Sequence, residues 1–413
     1  MDRAVAEALD RDDPLASFRE RFPIDDAGPI YMDGNSLGRT SYAVRAALDA
    51  GVHEWQERMV SGWSDWIELP AQVGDRLGLL IGAGPGQVLV CDSTTINLYK
   101  LADAALSARP GRMVIVGDAN DFPTDRYVLA GLAAARGCEL RLIGSDPITG
   151  LDLDELAGAI DEQTALVSLS HVNYRSAARL DLEAVTDLVH RHGALMLWDL
   201  SHSAGAVPVA LDGAEADLAV GCSYKYLNAG PGAPGYLYVR KALAEDLRQP
   251  ICGWFGHQDQ FEMGPAYQPA VGVGRFLTGS PPILGLLAVS AGVELVLEAG
   301  LGNLWAKSQA LTVMLADLIE ERLAPLGASL ASPREPARRG GHVAIAHPQA
   351  WSWCSALLER QLVVADFRTP DAIRLGPAAL YTRFVDGYDA VERMEAVLTS
   401  GLTADPGDRP RVT

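Results

Sequence analysis

Two stretches decide the fold: Ala194-Leu-Met-Leu-Trp-Asp-Leu-Ser-His-Ser203 and Asp217-Leu-Ala-Val-Gly-Cys-Ser-Tyr-Lys-Tyr-Leu-Asn-Ala-Gly-Pro-Gly232. Each is a short apolar run that ends abruptly in a charged or polar residue. In the first, five apolar residues lead to Asp199; in the second, an apolar strand leads to Ser-Tyr-Lys225 and a Gly/Pro-rich loop. Short uncharged runs bounded in this way are fully buried strands of a parallel sheet.

Further runs of the same kind lie on either side. They are Gln87–Cys91, Met113–Gly117, Glu139–Ile143, Ala165–His171 and Gly235–Arg240, which with the two above make seven. Between them fall helical patterns at 95–108, 123–135, 152–161 and 181–192, with Asp152 and Asp181 placed as N-caps. The alternation predicts βαβ units and a mostly parallel seven-stranded sheet covered on both faces. At 413 residues the chain exceeds one core. We expect a large domain over 40–295 and a small α/β domain formed by 296–413 with 1–39, the junction lying in Glu298-Ala-Gly-Leu-Gly302. The last dozen residues are expected to fray.

Composition excludes several function classes. A net charge of −19, from 34 basic and 53 acidic residues, opposes nucleic acid and anionic membranes as partners. The five cysteines (Cys91, Cys138, Cys222, Cys252 and Cys354) contain no CxxC pair, which suits a reducing compartment better than a disulfide or zinc framework. The acidic N-terminus, MDRAVAEALDRDDP, has no apolar stretch, so no signal peptide is expected. Leu277–Val293 reads as a turn and a buried helix, not a membrane span. A cytoplasmic location is the expectation. Gly82-Ala-Gly-Pro-Gly86 precedes a strand instead of following one, which excludes a dinucleotide fingerprint, and no Walker A sequence occurs. The histidines show no HExxH pattern, and no metal is expected.

Ligands of such sheets bind beyond the carboxyl ends of the strands. Lys225 stands at one such end, and only four lysines occur in the chain: Lys100, Lys225, Lys241 and Lys307. A lone lysine more often snorkels to solvent. One at the end of a buried strand is costly unless neutralised, and a Schiff base to an aldehyde cofactor both neutralises it and makes it a catalyst. The other three lie in partly polar helical stretches and are expected at the surface. Asp199, 26 residues before Lys225, can reach the same sheet edge. There a carboxylate would keep a pyridine nitrogen protonated, although a helix N-cap is the plainer use of such a residue. Thr94 and Thr95 open a helix directly after a strand and can offer N–H groups and hydroxyls to a phosphate. Ser280, before Pro281, is a second helix start of that type. Phe122, followed by Pro-Thr-Asp125, could stack on a flat cofactor, though an isolated phenylalanine is more often core.

Taken in order, these and further segments resemble the kynureninase family, in the class V branch of fold-type I (aspartate-aminotransferase-like) pyridoxal-phosphate enzymes. The resemblance spans about residues 30–385. It rests on Tyr31-Met-Asp-Gly-Asn-Ser-Leu-Gly38, Asp92-Ser-Thr-Thr-Ile-Asn-Leu-Tyr-Lys100, Phe122-Pro-Thr-Asp125, Leu169-Ser-His-Val172 and Trp198-Asp-Leu-Ser-His-Ser-Ala-Gly205. It continues in Cys222-Ser-Tyr-Lys-Tyr-Leu-Asn-Ala-Gly230, Gly253-Trp-Phe-Gly-His257, Phe276-Leu-Thr-Gly-Ser-Pro-Pro-Ile283 and Asp366-Phe-Arg-Thr-Pro-Asp-Ala-Ile-Arg-Leu375. The resemblance implies hydrolytic β,γ carbon–carbon cleavage of L-kynurenine to anthranilate and L-alanine, in tryptophan catabolism and NAD biosynthesis, or on a substituted kynurenine in secondary metabolism.

It also implies roles. Lys225 would carry pyridoxal 5'-phosphate, Asp199 would pair with the pyridine nitrogen and Phe122 would stack on the ring. Thr94, Thr95, Tyr224 and Trp254 would surround the phosphate, while Ser170, His202 and Asp125 would line the ring. Ser280 would reach the phosphate from the neighbouring subunit of a homodimer. Arg374 would grip the substrate's α-carboxylate, with Asn35 and Ser36 near the substrate. Tyr224 would serve as acid/base in the later proton transfers. Trp63 falls where animal relatives that prefer the 3-hydroxylated substrate place a histidine, which points to plain L-kynurenine. The rival within the class is a cysteine desulfurase or selenocysteine lyase. Such enzymes need a mobile nucleophilic cysteine in the small-domain half, where Cys354 is flanked by aromatics and expected to be inert. A cofactor-binding scaffold without catalysis is the rival outside it, and the joint presence of Lys225, Asp199 and Arg374 argues against that.

Overall fold

Along each predicted strand the side chains alternate between two apolar layers, and this alternation builds the sheet in a computed structural model describing residues 2–360 and 362–401. The strands are β1 (Val88–Val90), β2 (Val114–Asp118), β3 (Glu139–Ile143), β4 (Thr164–Ser170), β5 (Leu195–Asp199), β6 (Leu218–Gly221) and β7 (Tyr236–Val239). They form one seven-stranded sheet in the order β1-β7-β6-β5-β4-β2-β3. All neighbours pair in parallel except at β7, which is antiparallel to both β1 and β6. The expected seven strands and mostly parallel arrangement are what is found.

Val116, Val167, Met196, Trp198 and Tyr238 point to one face, where they pack with α1 (Leu69–Ile81), α2 (Leu182–Arg191) and α3 (Ile283–Ala299). Ile115, Leu166, Leu195, Leu197 and Leu237 point to the other, against α4 (Thr94–Ser107) and α5 (Pro123–Arg136). Period-two side chains with apolar residues at both parities require this double cover. The edge strand β3 is the partly exposed one, and it carries Glu139 and Arg141, charges of the kind that discourage edge-to-edge pairing. Asp152 and Asp181 cap their helices as expected, each accepting from backbone N–H groups of the first turn. Gly82 ends α1 with φ +65°, and a Cβ there would lie 2.6 Å from Ala210 Cα.

A third apolar core lies under a four-stranded antiparallel sheet formed by Ser329–Leu330, Val343–Ala346, Asp366–Arg368 and Ala372–Leu375. Leu311, Met314, Trp353, Leu357, Val391 and Met394 fill it, joined by Ala6 and Met32 from the N-terminal segment. Gly300 (φ +78°) separates α3 from the next helix, Leu301–Leu318, within the predicted junction. Among the described residues no single helix is long and apolar enough to cross a membrane. The residues from 402 onward, expected to fray, lie outside the described residues.

Two lysines correct the surface expectation. Lys100 is fully buried and Lys307 is 6% exposed. Each is buried because it is paired: Lys100 Nζ lies 2.6 Å from Asp92 Oδ2 and Lys307 Nζ 2.7 Å from Asp13 Oδ2. A cation inside a protein is sustained only by a partner of this kind.

Candidate active site

The carboxyl ends of β2, β4, β5 and β6 open onto one cavity of about 250 Å³. It is lined by Asn35, Ser36, Thr94, Thr95, Phe122, Ser170, Asp199, His202, Tyr224, Lys225 and Arg374, so eleven of the residues singled out in the sequence meet at one place. A larger cavity of about 850 Å³, lined by residues such as His171, Arg179 and Arg338, contains none of them. Chemistry, not size, marks the site.

At its floor Lys225 Nζ lies 2.9 Å from His202 Nε2. Burial, then the Lys225 charge and the His342 ring, push the His202 pKa well below its ordinary value. His202 is therefore neutral, accepting from Lys225 at Nε2, so that Nδ1 carries the proton and finds no hydrogen-bond acceptor. Asp199 is buried at the end of β5, and its Oδ1 accepts from Ser201 N at 2.6 Å. Behind it lies the buried carboxyl of Asp125, which shares a side-chain hydrogen bond with Asp199. Burial, then the Asp199 charge, raise the Asp125 pKa well above the carboxylate range. Burial raises the Asp199 pKa as well, opposed by its hydrogen bonds with Ser201 and by the Lys225 charge.

Asp121 extends this acidic floor. Its Oδ2 accepts from Ser170 N at 3.1 Å, and burial, then Asp118, push its pKa up to about 8. A carboxyl whose pKa rises on folding contributes stability that is complete below its unfolded value near ~4 and is lost as pH climbs toward 8. Melting of the apoprotein is expected to fall between pH 5 and pH 8, and Asp121→Asn should flatten that slope. An unchanged slope in differential scanning calorimetry would show that Asp121 is not the group responsible.

At the opposite end the helix α4 begins. Ser93 Oγ caps it by accepting from Ile96 N. Thr94 and Thr95 occupy the first turn, where N–H groups lack partners within the helix. A Cβ on the lining residue Gly235 would fall 2.9 Å from Thr94 N, so glycine there keeps this turn open. Phe122, 45% exposed, stands edge-on to Tyr174 with ring centroids 5.3 Å apart.

The third wall comes from the small sheet. Arg374, 1% exposed, donates from Nε to Asp366 Oδ1 at 2.7 Å and also pairs through Nη2 with Asp366 Oδ2. Ser36 Oγ accepts from Arg374 Nη2 at 2.7 Å and donates to Asp366 Oδ2 at 2.6 Å. With its amide turned to face the guanidinium, Asn35 Oδ1 accepts from Nε and Nη2, both at 3.2 Å. One edge of the guanidinium is thus held by Asp366, while Nη1 donates to the Tyr174 carbonyl, so the group is fixed in the wall of the cavity. Arg368 lines the same wall, 2.6 Å from Asp366.

Sequence reasoning missed Ser93, Thr124, Tyr174, Ser201 and Arg368, which also line the cavity. All but Tyr174 sit inside motifs already quoted, so their position was the available signal. His342, which no motif above includes, packs its ring 5.3 Å from His202. Four expected residues do not line this chain's cavity: Asp125 lies behind Asp199, and the other three stand elsewhere. Trp63 lies in an apolar groove beside Pro282 and Ile283, packed on Trp66 and Phe255. Trp254 is 41% exposed and packs on Phe255, and Ser280 is exposed.

The donor set fits pyridoxal phosphate. Nδ1 of His202 is buried without a partner, an amine and a carboxylate face one cavity, and an open helix N-terminus stands at its far end. Among solved structures the chain resembles the apo form of a cysteine desulfurase from Thermococcus onnurineus NA1, with a TM-score of 0.79 at 20% identity over 94% of this chain and 97% of that one. This establishes a shared fold, that of fold-type I enzymes. Residues 304–394 match the kynureninase C-terminal domain family. A kynureninase of Burkholderia pseudomallei (strain 1106a) is 45% identical over 405 residues, 96% of this chain and 95% of the relative. One of Pseudomonas fluorescens is 43% identical over 95% of this chain and 94% of the relative. With identity at this level along nearly the whole length, and with these residues meeting in one cavity, the chain belongs to the kynureninase family.

Proposed function

We propose that this chain is a pyridoxal-phosphate-dependent hydrolase that cleaves the β,γ carbon–carbon bond of L-kynurenine, adding one water to yield anthranilate and L-alanine. The observation that carries the reading is the meeting of Lys225, Asp199 and Arg374 in one cavity of a chain that is 45% identical to a kynureninase over 96% of its length. The bound cofactor supplies an electron sink for the carbanions formed at the substrate's α- and β-carbons.

The protein's residues divide the remaining work. Lys225 would hold the cofactor and, once displaced by the substrate amine, take the α-proton on Nζ, with His202 Nε2 as its hydrogen-bond partner. Asp199 would keep the proton on the pyridine nitrogen, its carboxylate form favoured by the Ser201 hydrogen bonds and the Lys225 charge. Thr94, Thr95 and Tyr224 would bind the phosphate, while Phe122, Ser170, His202 and Asp125 would hold the ring. Arg374, oriented by Asp366, Ser36 and Asn35, would fix the α-carboxylate. The Cys222 thiol beside it, then burial, push the Tyr224 pKa up, so Tyr224 acts as a phenol that donates a proton and not as a phenolate base.

Trp254, Ser280 and Trp63 have a place in this reading if two chains associate and each completes the other's site. The exposure of Trp254 and Ser280, neither of which lines the chain's own cavity, supports such a homodimer. The desulfurase reading is disfavoured by Cys354. It is the one cysteine after residue 300, it is 5% exposed, and burial, then Asp366, push its pKa up to about 12.

Incubating the cofactor-loaded protein with L-kynurenine, and separately with 3-hydroxykynurenine, tests the proposal. Release of fluorescent anthranilate, faster than turnover of the hydroxylated substrate, is expected. No product from either substrate would discard kynurenine in favour of a substituted relative.

A further inference from the structure

Lys100 belongs to none of the roles assigned above, yet it is among the largest fully buried side chains of the protein. It stands in α4, the helix whose first turn faces the phosphate end of the cavity. Its ammonium group donates to Asp92 Oδ2 at 2.6 Å and to the Phe276 carbonyl at 2.8 Å, and lies 3.7 Å from Cys91 Sγ. These partners belong to two different pieces of chain.

Asp92 is the link between β1 and α4. It adopts φ +47°, a left-handed conformation that Asp and Asn take up more readily than other non-glycine residues. Its carbonyl accepts from Gly235 N at 2.8 Å, and Gly235 lines the cavity. Its carboxylate accepts from Thr278 Oγ1 at 3.2 Å. The Thr278 carbonyl in turn accepts from Phe255 N at 3.1 Å, and a Cβ on Gly253 would fall 2.1 Å from that same oxygen. The segment 276–280, which carries Ser280, and the turn that carries Trp254 are thereby tied to the base of α4.

We infer that Lys100 is a positioning residue for the cofactor phosphate, binding the first turn of α4 and the Phe276–Ser280 segment into one charge-assisted knot. This rests on the pyridoxal-phosphate reading given above. A neutral side chain at position 100 would leave Asp92 without its cation and release the Phe276 carbonyl. The left-handed Asp92 could then relax, shifting Thr94 and Ser280 together.

Lys100→Met keeps the length of the stem and removes the charge. For the holoenzyme we expect pyridoxal phosphate to bind about tenfold to a hundredfold more weakly, the loss associated with charge-assisted hydrogen bonds. The rise in melting temperature on adding pyridoxal phosphate should shrink. At saturating cofactor, kcat should return toward the parent value, and Lys100→Arg should recover part of the affinity. A purely structural role would lower the melting of apo and loaded forms equally. An unchanged dissociation constant and an unchanged cofactor-induced rise would therefore overturn the inference. If Lys100→Met does not fold, Asp92→Asn tests the same tie from its other end, with a residue that tolerates the left-handed backbone. A parent chain that binds no pyridoxal phosphate would sink the underlying reading. A parent and a variant that bind it equally would sink this inference alone.

Discussion

Replacing Lys225 with alanine should abolish turnover of L-kynurenine and the visible absorbance of the bound cofactor together. Among the described residues the side chain supplies the only amine lining the cavity, 2.9 Å from a neutral imidazole. Nothing else there can both hold an aldehyde covalently and accept the α-proton. Loss of a positioned base alone costs about 10²–10⁴ in rate, and loss of the covalent attachment adds to it. A fall in kcat of about 10⁴ or more is expected. The fold should survive, because the Lys225 ammonium and His202 are a local pair at the cavity floor. Steady-state kinetics with circular dichroism as control decides the matter. Turnover within tenfold of the parent would refute the assignment of Lys225, and with it the reaction.

The second large effect concerns Arg374. Truncating it to alanine removes the proposed carboxylate clamp and strips Asp366, itself fully buried, of its bidentate partner. Removing one member of a buried, hydrogen-bonded charge pair costs about 2–5 kcal/mol. In kcat/KM that corresponds to a loss of about thirtyfold to a few thousandfold, carried mainly by KM. Arg374→Lys retains the charge but not the planar fork, and should recover only part of the loss.

The pH dependence supplies a second readout. Burial alone would raise the Asp366 pKa, but Arg374 holds it below the ordinary carboxylate value. Stability from such a group is present above the unfolded pKa near ~4 and is lost as pH falls through the lower folded value. The parent should therefore lose melting temperature in acid more steeply than Arg374→Ala, whose Asp366 retains only the Arg368 partner 2.6 Å away. An unaltered KM with an unaltered acid limb would place the substrate's carboxylate elsewhere.

Much of this was legible in the residues. The seven strands fall on short apolar runs bounded by polar or glycine-rich breaks, and most observed limits differ from the expected ones by one or two residues. Such runs are identifiable because a strand buried on both faces needs apolar side chains at every position, a requirement met locally. Lys225 and Asp199 stood out for a related reason. A charge that interrupts such a run must lie at a strand end, and in this architecture strand ends share one edge.

Burial of the remaining lysines was not legible. Lys307 is sheltered because Asp13, remote in sequence, folds against it, and Lys100 because segment 276–280 closes over it. Nothing in the helical pattern around either residue encodes its partner. Arg368 and Tyr174 reach the cavity only because the small sheet and the loop after β4 meet there. Trp63, Trp254 and Ser280 do not line the chain's own cavity, a matter of three-dimensional placement that linear spacing does not carry. The sequence alone thus determined the elements, the sheet and the reactive pair, because each follows from side chains that are near neighbours along one strand. Which charges are buried, which arginine is oriented by which carboxylate, and which motif residues share one cavity were decided by tertiary structure, because ion pairs and cavity walls are made between segments far apart in the chain.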